Sequence, residues 1–234
     1  MEMSFVIIGN WKGICSQANL LHASQYKTKQ NIHYIIAPNY LHISYISKLQ
    51  NINLCAQNSV QNELTGSVSI SLLMQFNVKY MLCNHADHRA NNNYNPTEHV
   101  LICEENSITP IIFIKDYQEA INLSNTLNKI KRKPNYTNEN KSLDLLSYKS
   151  IFVFEPHDYI GKEGIADLNK VKYEIDRIKQ LTDSPVCYGG SLNENNYKDL
   201  IPYVDGLCFG RLSRSANFNQ IIENISNNLI SANS

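Results

Sequence analysis

Polar residues suited to acid–base chemistry follow several short apolar runs of this chain. Asn10 and Lys12 lie in "GNWKG", His85 lies in "NHADHR", and Glu155 ends the run "IFVFE". A carboxylate at the end of a buried strand costs free energy unless something uses it. A base, a polarising donor and a fixed positive charge are together what metal-free proton abstraction beside a carbonyl requires.

Each of these residues alone also has a structural interpretation. A lysine in a loop is commonly a surface residue, a single histidine is often partly buried and hydrogen-bonded, and a strand-end glutamate often pairs with a basic side chain. Their joint placement favours catalysis over these alternatives.

Two glycine-containing turns near the C-terminus predict an anion site. In "YGGS" and "FGR" the backbone N–H groups of Gly190, Ser191, Gly210 and Arg211 suit a phosphate, because they donate without side-chain bulk. The sequence contains no His, Cys, Asp and Glu set with metal-ligand spacing and neither of the glycine motifs of nucleotide sites. We therefore expect neither a metal nor a cofactor.

Eight apolar, β-rich runs must position these groups. They begin at residues 5, 33, 52, 80, 109, 151, 185 and 205, and longer, more polar segments separate them. This alternation is typical of βα units, and eight units close a barrel. We predict an α/β protein with one (β/α)8 barrel domain over residues 1–234. Lys12, His85 and Glu155 then meet at the carboxyl ends of the strands, where barrels of this kind carry their chemistry.

The connecting segments show helical spacing. Leu168, Val171, Ile175, Ile178 and Leu181 follow steps of three and four residues, and Asp167 can cap their start. The polar stretch from residue 128 to 144 is interpreted as a helix end and a solvated loop.

Composition indicates a small-molecule partner. The 21 basic and 21 acidic residues cancel, which argues against nucleic acid or an acidic membrane surface. The N-terminus has no signal peptide or spanning helix, so we expect a cytoplasmic protein. The six cysteines form no C-x-x-C pair, and four of them, Cys55, Cys83, Cys187 and Cys208, lie in strand-like runs, as reduced core residues would.

The order of these motifs resembles the triosephosphate isomerase family. "GNWK", "APNY", "AQN", "HADHR", "EP", "YGGS" and "DGLCFGRLS" occur in the family's order between residue 7 and about residue 213. The resemblance implies a TIM barrel that interconverts dihydroxyacetone phosphate and D-glyceraldehyde 3-phosphate, in glycolysis or gluconeogenesis.

The resemblance also implies a role for each site residue. Glu155 would be the base, neutral His85 would polarise the carbonyl oxygens, and Lys12 would stabilise the enediolate, supported by Asn10. The loop after Glu155 would be a lid held by Tyr188. The substrate phosphate would bind through four residues, namely Gly161, Ser191, Gly210 and Arg211.

Several positions depart from the family pattern. The family's G-H-S-E-R-R reads "NHADHR", Asp158 replaces a tryptophan of the lid, Asp116 stands for the lid's glutamate partner, and Arg211 replaces a second glycine. The segment 59–64 is shorter than usual in a loop that docks into the partner subunit in the family. We still predict a homodimer.

Two alternatives remain open at this stage. One is a degraded barrel that binds a phosphorylated metabolite without turnover. The other is a different phosphosugar enzyme on the same barrel.

Overall fold

The eight predicted strands form a closed parallel barrel in chain order. The structure is a computed structural model, which describes residues 4–14, 16–61, 65–90, 93–131, 150–157 and 164–232. The strands are β1 (Phe5–Asn10), β2 (Ile32–Ala37), β3 (Asn53–Ala56), β4 (Tyr80–Cys83), β5 (Thr109–Ile114), β6 (Ile151–Phe154), β7 (Val186–Gly189) and β8 (Gly206–Phe209). The predicted α/β barrel class is confirmed.

Helices follow the strands around the barrel. They are α1 (Gln17–Ser24), α2 (Ile43–Ile46), α3 (Ile70–Gln75), α4 (Ala86–Arg89), α5 (Pro96–Glu105), α6 (Tyr117–Lys131), α7 (Leu168–Lys179) and α8 (Phe218–Ala232). The predicted α7 starts where expected, because the Asp167 side chain accepts a hydrogen bond from the N–H of Lys170. Val171, Ile175 and Ile178 are buried on its inner face.

Alternate residues of each strand supply two apolar layers. Val6 and Ile8 of β1 belong to the cluster inside the barrel, whereas Ile7 belongs to the larger cluster between sheet and helices. This is the period of two that a strand imposes on its side chains. Cys55, Cys187 and Cys208 lie inside the barrel, and Cys83 lies in the outer cluster. All four are buried free thiols, as predicted.

Closure of the barrel depends on a glycine in β8. Val6 pairs with Gly206 where β1 meets β8. A Cβ atom at position 206 would lie 2.3 Å from the Val6 carbonyl oxygen and 2.7 Å from Sγ of Cys187. Any other residue there would push the two closing strands apart.

Some predictions on organisation go untested. The described residues form one barrel, but the extent of the domain over 1–234 stays a prediction. Most of the polar stretch 128–144 lies outside the described residues. Within the residues that the structure describes, no helix has both the length and the apolar composition needed to cross a bilayer.

Candidate active site

Asn10 and Lys12 reach the carboxyl rim through the turn that follows β1. Lys12 adopts a left-handed backbone conformation with φ of 53°, and its N–H donates to Oδ1 of Asn10 at 3.1 Å. The Lys12 Nζ atom donates to Oδ2 of Asp87, a residue of α4, at 3.0 Å. Both charged side chains are well exposed, so this ion pair contributes little to stability and acts mainly to place the ammonium group.

His85 follows β4 and is 5% exposed. Its Nδ1 atom accepts a hydrogen bond from the N–H of Asp87 at 3.1 Å. Burial lowers the pKa of His85 to about 4, an effect that the Asp87 carboxylate opposes and the charges of Lys12 and Arg89 reinforce. The ring is therefore neutral at physiological pH. Since Nδ1 is an acceptor, the single ring proton resides on Nε2.

Glu155 directly follows β6 and is 7% exposed. Its N–H donates to the carbonyl of Ile114, which continues the ladder with β5. Burial raises the pKa of its carboxyl group to about 7, although the Lys12 and Arg89 charges act in the opposite direction. Its Oε2 atom lies 3.9 Å from Nε2 of His85. The Glu155 carboxylate and the His85 Nε2 atom thus face each other at the rim.

The turns after β7 and β8 lie on the same rim. Gly190 and Ser191 have φ values of 107° and 48°, and a Cβ atom at Gly190 would lie 3.8 Å from Cγ of Glu155. Gly189 is paired with Cys208 in β8, so the turn beginning at Gly210 is adjacent. Arg211 begins a 3₁₀ helix (Arg211–Arg214), and its side chain is exposed. The structure thus brings Ser191 and Gly210 to the side of the rim that holds Glu155.

The predicted lid is only partly described. Gly161 and Asp158 lie outside the described residues. On the far side of that segment, the N–H of Ala166 donates to the hydroxyl of Tyr188 at 3.3 Å. Asp116 accepts from the N–H of Glu119 at 2.7 Å, so in this structure its carboxylate caps the first turn of α6.

Two residues near the site were missed by the sequence analysis. Gln57 follows β3, and its side-chain amide donates to the carbonyl of Lys12 at 2.6 Å and to that of Ala37 at 3.0 Å. It supports the left-handed turn that carries the lysine. As a polar residue at a strand end in "AQN", Gln57 could have been found by the reasoning applied to the other strands. Arg89, which donates to the Asn84 carbonyl at 2.7 Å, gave no such signal.

The chemistry of the rim is that of proton transfer. A buried carboxylate, a neutral imidazole and an ammonium group meet beside backbone donors. The described residues contain no group of three or more His, Cys, Asp and Glu side chains placed to hold a metal ion. Fold and rim together define a (β/α)8-barrel protein of the acid–base enzyme class.

Comparison with known proteins places the chain within this class. The model of the triosephosphate isomerase family matches residues 5–225. The triosephosphate isomerase of Mycoplasmopsis agalactiae is 30% identical over 239 residues, covering 89% of this chain and 91% of that protein. That of Mycoplasmopsis pulmonis is 30% identical over 234 residues (89% and 92%), and that of Wigglesworthia glossinidia brevipalpis is 27% identical over 241 residues (91% and 93%). The chain belongs to the triosephosphate isomerase family.

Replacing the buried carboxylate should stabilise the protein at high pH. The pKa of Glu155 is about 7 in the folded chain against an ordinary 4.5, so the folded state binds this proton more tightly than the unfolded state. The contribution of Glu155 to the free energy of unfolding therefore falls as pH rises from 4.5 to about 7 and is then constant. Glu155→Gln changes the free energy of unfolding relative to wild type. We expect this change to be more stabilising at pH 8 than at pH 4 by roughly 3 kcal/mol.

Urea unfolding of both proteins at the two pH values measures this effect. The matched control is Glu105→Gln, which removes an exposed carboxylate at the end of α5. A Glu155→Gln difference that is the same at both pH values would contradict the raised pKa.

Proposed function

We propose that this protein is a triosephosphate isomerase, which interconverts dihydroxyacetone phosphate and D-glyceraldehyde 3-phosphate through an enediolate. The observation that carries the assignment is the buried Glu155 carboxylate, which has a pKa of about 7 and lies 3.9 Å from the Nε2 atom of a neutral His85. A base whose pKa is close to the working pH combines a large ionised fraction with strong proton affinity. Membership of the triosephosphate isomerase family supports the same reaction.

Glu155 carries the proton between the two carbons. Its carboxylate removes a proton from the carbon beside the carbonyl, and the C–H electron pair becomes the C=C bond while the carbonyl π electrons move to oxygen. The carboxylic acid then returns a proton to the former carbonyl carbon, where the C=C electron pair forms the new C–H bond. The hydroxyl oxygen on the neighbouring carbon becomes the new carbonyl oxygen, and its proton passes to the former carbonyl oxygen, which gives the isomeric product. Deprotonated Glu155 is regenerated, so the cycle needs no net proton donor.

His85 and Lys12 stabilise the charge that forms on oxygen. The Nε2–H group of His85 faces the base and donates to the developing oxyanion, which a neutral imidazole can do without holding a competing charge. Lys12 Nζ supplies positive charge at the same rim, and Asp87 holds it there at 3.0 Å. Asn10 accepts the Lys12 N–H and so fixes the turn that carries the ammonium group.

The phosphate binds beside the last two strands. The backbone N–H groups of Ser191, Gly210 and Arg211 donate to its oxygens, and we assign a further backbone contact to Gly161. This assignment is supported by the position of the turn after β7, where a Cβ atom at Gly190 would lie 3.8 Å from Cγ of Glu155. The phosphate then lies on the same side of the site as Glu155.

The reaction serves glycolysis and, in reverse, gluconeogenesis, and we propose a cytoplasmic location. The five cysteines of the described chain are buried free thiols, which suits a reducing compartment. A degraded barrel that binds without turnover is not favoured, because the family model matches residues 5–225 and the relatives that it resembles are named triosephosphate isomerases.

Purified protein should isomerise D-glyceraldehyde 3-phosphate in a coupled assay, and Glu155→Gln should lower kcat by at least about 10²-fold, since general acid–base catalysis supplies about 10² to 10⁴. Glu105→Gln is the control for the loss of a carboxylate and should retain wild-type activity. If wild type and Glu155→Gln are equally slow, the proposed function fails. Tight binding of phosphoglycolate without turnover would then favour the degraded barrel. Activity on another phosphosugar would favour a different phosphosugar enzyme on the same barrel.

We further propose that the protein is a homodimer, formed through the turns after the first three strands. Exposed apolar side chains are concentrated there: Ile14, Tyr40, Leu41, Tyr45 and Val60. Hydrogen bonds join these turns into one surface, since the Asn39 side chain donates to the Gly13 carbonyl and the Tyr40 hydroxyl donates to the Asn58 carbonyl. An apolar patch spread over several linked loops is typical of a protein interface.

Sedimentation velocity at micromolar concentration should show a dimer. Leu41, which is 84% exposed, is the residue to change, and Leu41→Asp should shift the protein toward monomer by burying a charge in the interface. Tyr173→Asp is the matched control, since this side chain is 61% exposed on α7, outside the proposed surface. A wild-type monomer at micromolar concentration would remove the proposal.

A further inference from the structure

The residue before the catalytic histidine has a constrained backbone. Asn84 lies in the left-handed region, with φ of 60°, and is 2% exposed. A non-glycine residue persists in this conformation only where its surroundings hold it there. Because Asn84 immediately precedes His85, its conformation sets the direction in which the imidazole leaves β4.

Three polar groups of Asn84 have partners, namely the side-chain NH2, the backbone carbonyl and the backbone N–H. Its side-chain amide donates to the Phe113 carbonyl at 2.8 Å and to Oε1 of Glu119 at 3.0 Å, and its carbonyl accepts from Arg89 at 2.7 Å. Its backbone N–H donates to the hydroxyl oxygen of Tyr94 at 2.7 Å. The acceptor of that last bond, Tyr94, lies ten positions further along the chain, in the segment between α4 and α5.

A stack of rings holds Tyr94 in place. Its ring lies nearly parallel to that of His99 in α5, with centroids 4.4 Å apart and an interplanar angle of 12°. The centroid of the His88 ring, in α4, lies 4.9 Å from that of Tyr94. The His88 and His85 rings meet edge to face, with centroids 6.0 Å apart. Burial lowers the pKa of both His88 and His99 to about 4, so the stack consists of neutral rings. A continuous series of ring contacts therefore joins α5 to the catalytic histidine.

We propose that Tyr94 is a positioning residue for catalysis: its hydroxyl, held by the stack with His88 and His99, secures the left-handed turn at Asn84 and thereby the placement of His85. This inference rests on the proposed isomerase function for its kinetic consequence. The placement of His85 sets the 3.9 Å separation of its Nε2 atom from Oε2 of Glu155. Tyr94 itself acts only through Asn84 and His85.

The physical reason for a kinetic effect is the buried amide of Asn84. Without the Tyr94 oxygen this N–H group has no acceptor, and a buried unpaired donor favours a rearranged turn. Displacement of a catalytic group by about 1 Å can cost about 10²-fold in rate. Because phosphate binding lies at β7 and β8, on another part of the rim, KM should change much less than kcat.

Tyr94→Phe tests the hydroxyl, since it retains the ring and removes one atom. We expect kcat to fall about tenfold, with KM within about twofold of wild type. Amide hydrogen exchange at Asn84 should become at least about tenfold faster, and the His85 ring signals in a ¹⁵N NMR spectrum should shift. Tyr173→Phe, at the exposed position on α7, is the matched control and should change none of these quantities.

Substitutions of His99 test the stack separately and decide the question if Tyr94→Phe does not fold. His99→Ala removes the stacked ring and should lower kcat several-fold, whereas His99→Phe restores a ring and should keep kcat within about twofold of wild type. Equal kcat values for these two variants would overturn the role of the stack.

Unchanged kcat and unchanged Asn84 exchange in Tyr94→Phe would overturn the role of the hydroxyl. The exchange rate and the His85 signals do not depend on turnover. An inactive wild type would therefore refute the isomerase function while these two measurements still confirmed or refuted the positioning.

Discussion

At the end of β6 the Glu155 carboxylate lies 7% exposed, and its Oε2 atom has no hydrogen-bond partner among the residues that the structure describes. A charge in such a place is costly, and the rest of the site reflects that cost. Full neutralisation by an adjacent cation would lower the pKa of the carboxyl group and weaken the base. The positive charges are instead set back, with Lys12 paired to Asp87 and Arg89 directed to the Asn84 carbonyl. The carboxyl group therefore keeps a pKa of about 7.

The neutrality of His85 follows from the same constraint. A charged imidazole 3.9 Å from Glu155 would pair with it and remove its basicity. Burial prevents that charge, and the Asp87 N–H bound to Nδ1 leaves the ring proton on Nε2, which faces the Glu155 carboxylate. The neighbouring rings of His88 and Tyr94 add bulk without charge. At position 88, where the family pattern has an arginine, this chain thus places a neutral ring beside His85.

The sequence allowed the barrel and the rim to be predicted because both depend on local signals. Apolar runs marked each strand, Asp167 marked the start of α7, and the polar residues at strand ends marked Lys12, His85 and Glu155. The residue that holds the turn before His85 gave no comparable signal. Tyr94 reaches Asn84 only through the tertiary approach of the segment before α5, and no periodicity reveals such a contact. Gln57, which supports the left-handed turn at Lys12, does stand at a strand end, but its hydrogen bond to the Lys12 carbonyl is a tertiary contact that the sequence does not reveal.

The central claim is that folding places a carboxylate of raised pKa opposite a neutral imidazole. Its most direct test is a ¹³C NMR titration of protein labelled at the glutamate side-chain carboxyl carbon, with Glu155→Gln identifying the signal. We predict that the Glu155 carboxyl group titrates with a pKa near 7. A pKa at or below the ordinary value of 4.5 would contradict this account of the site.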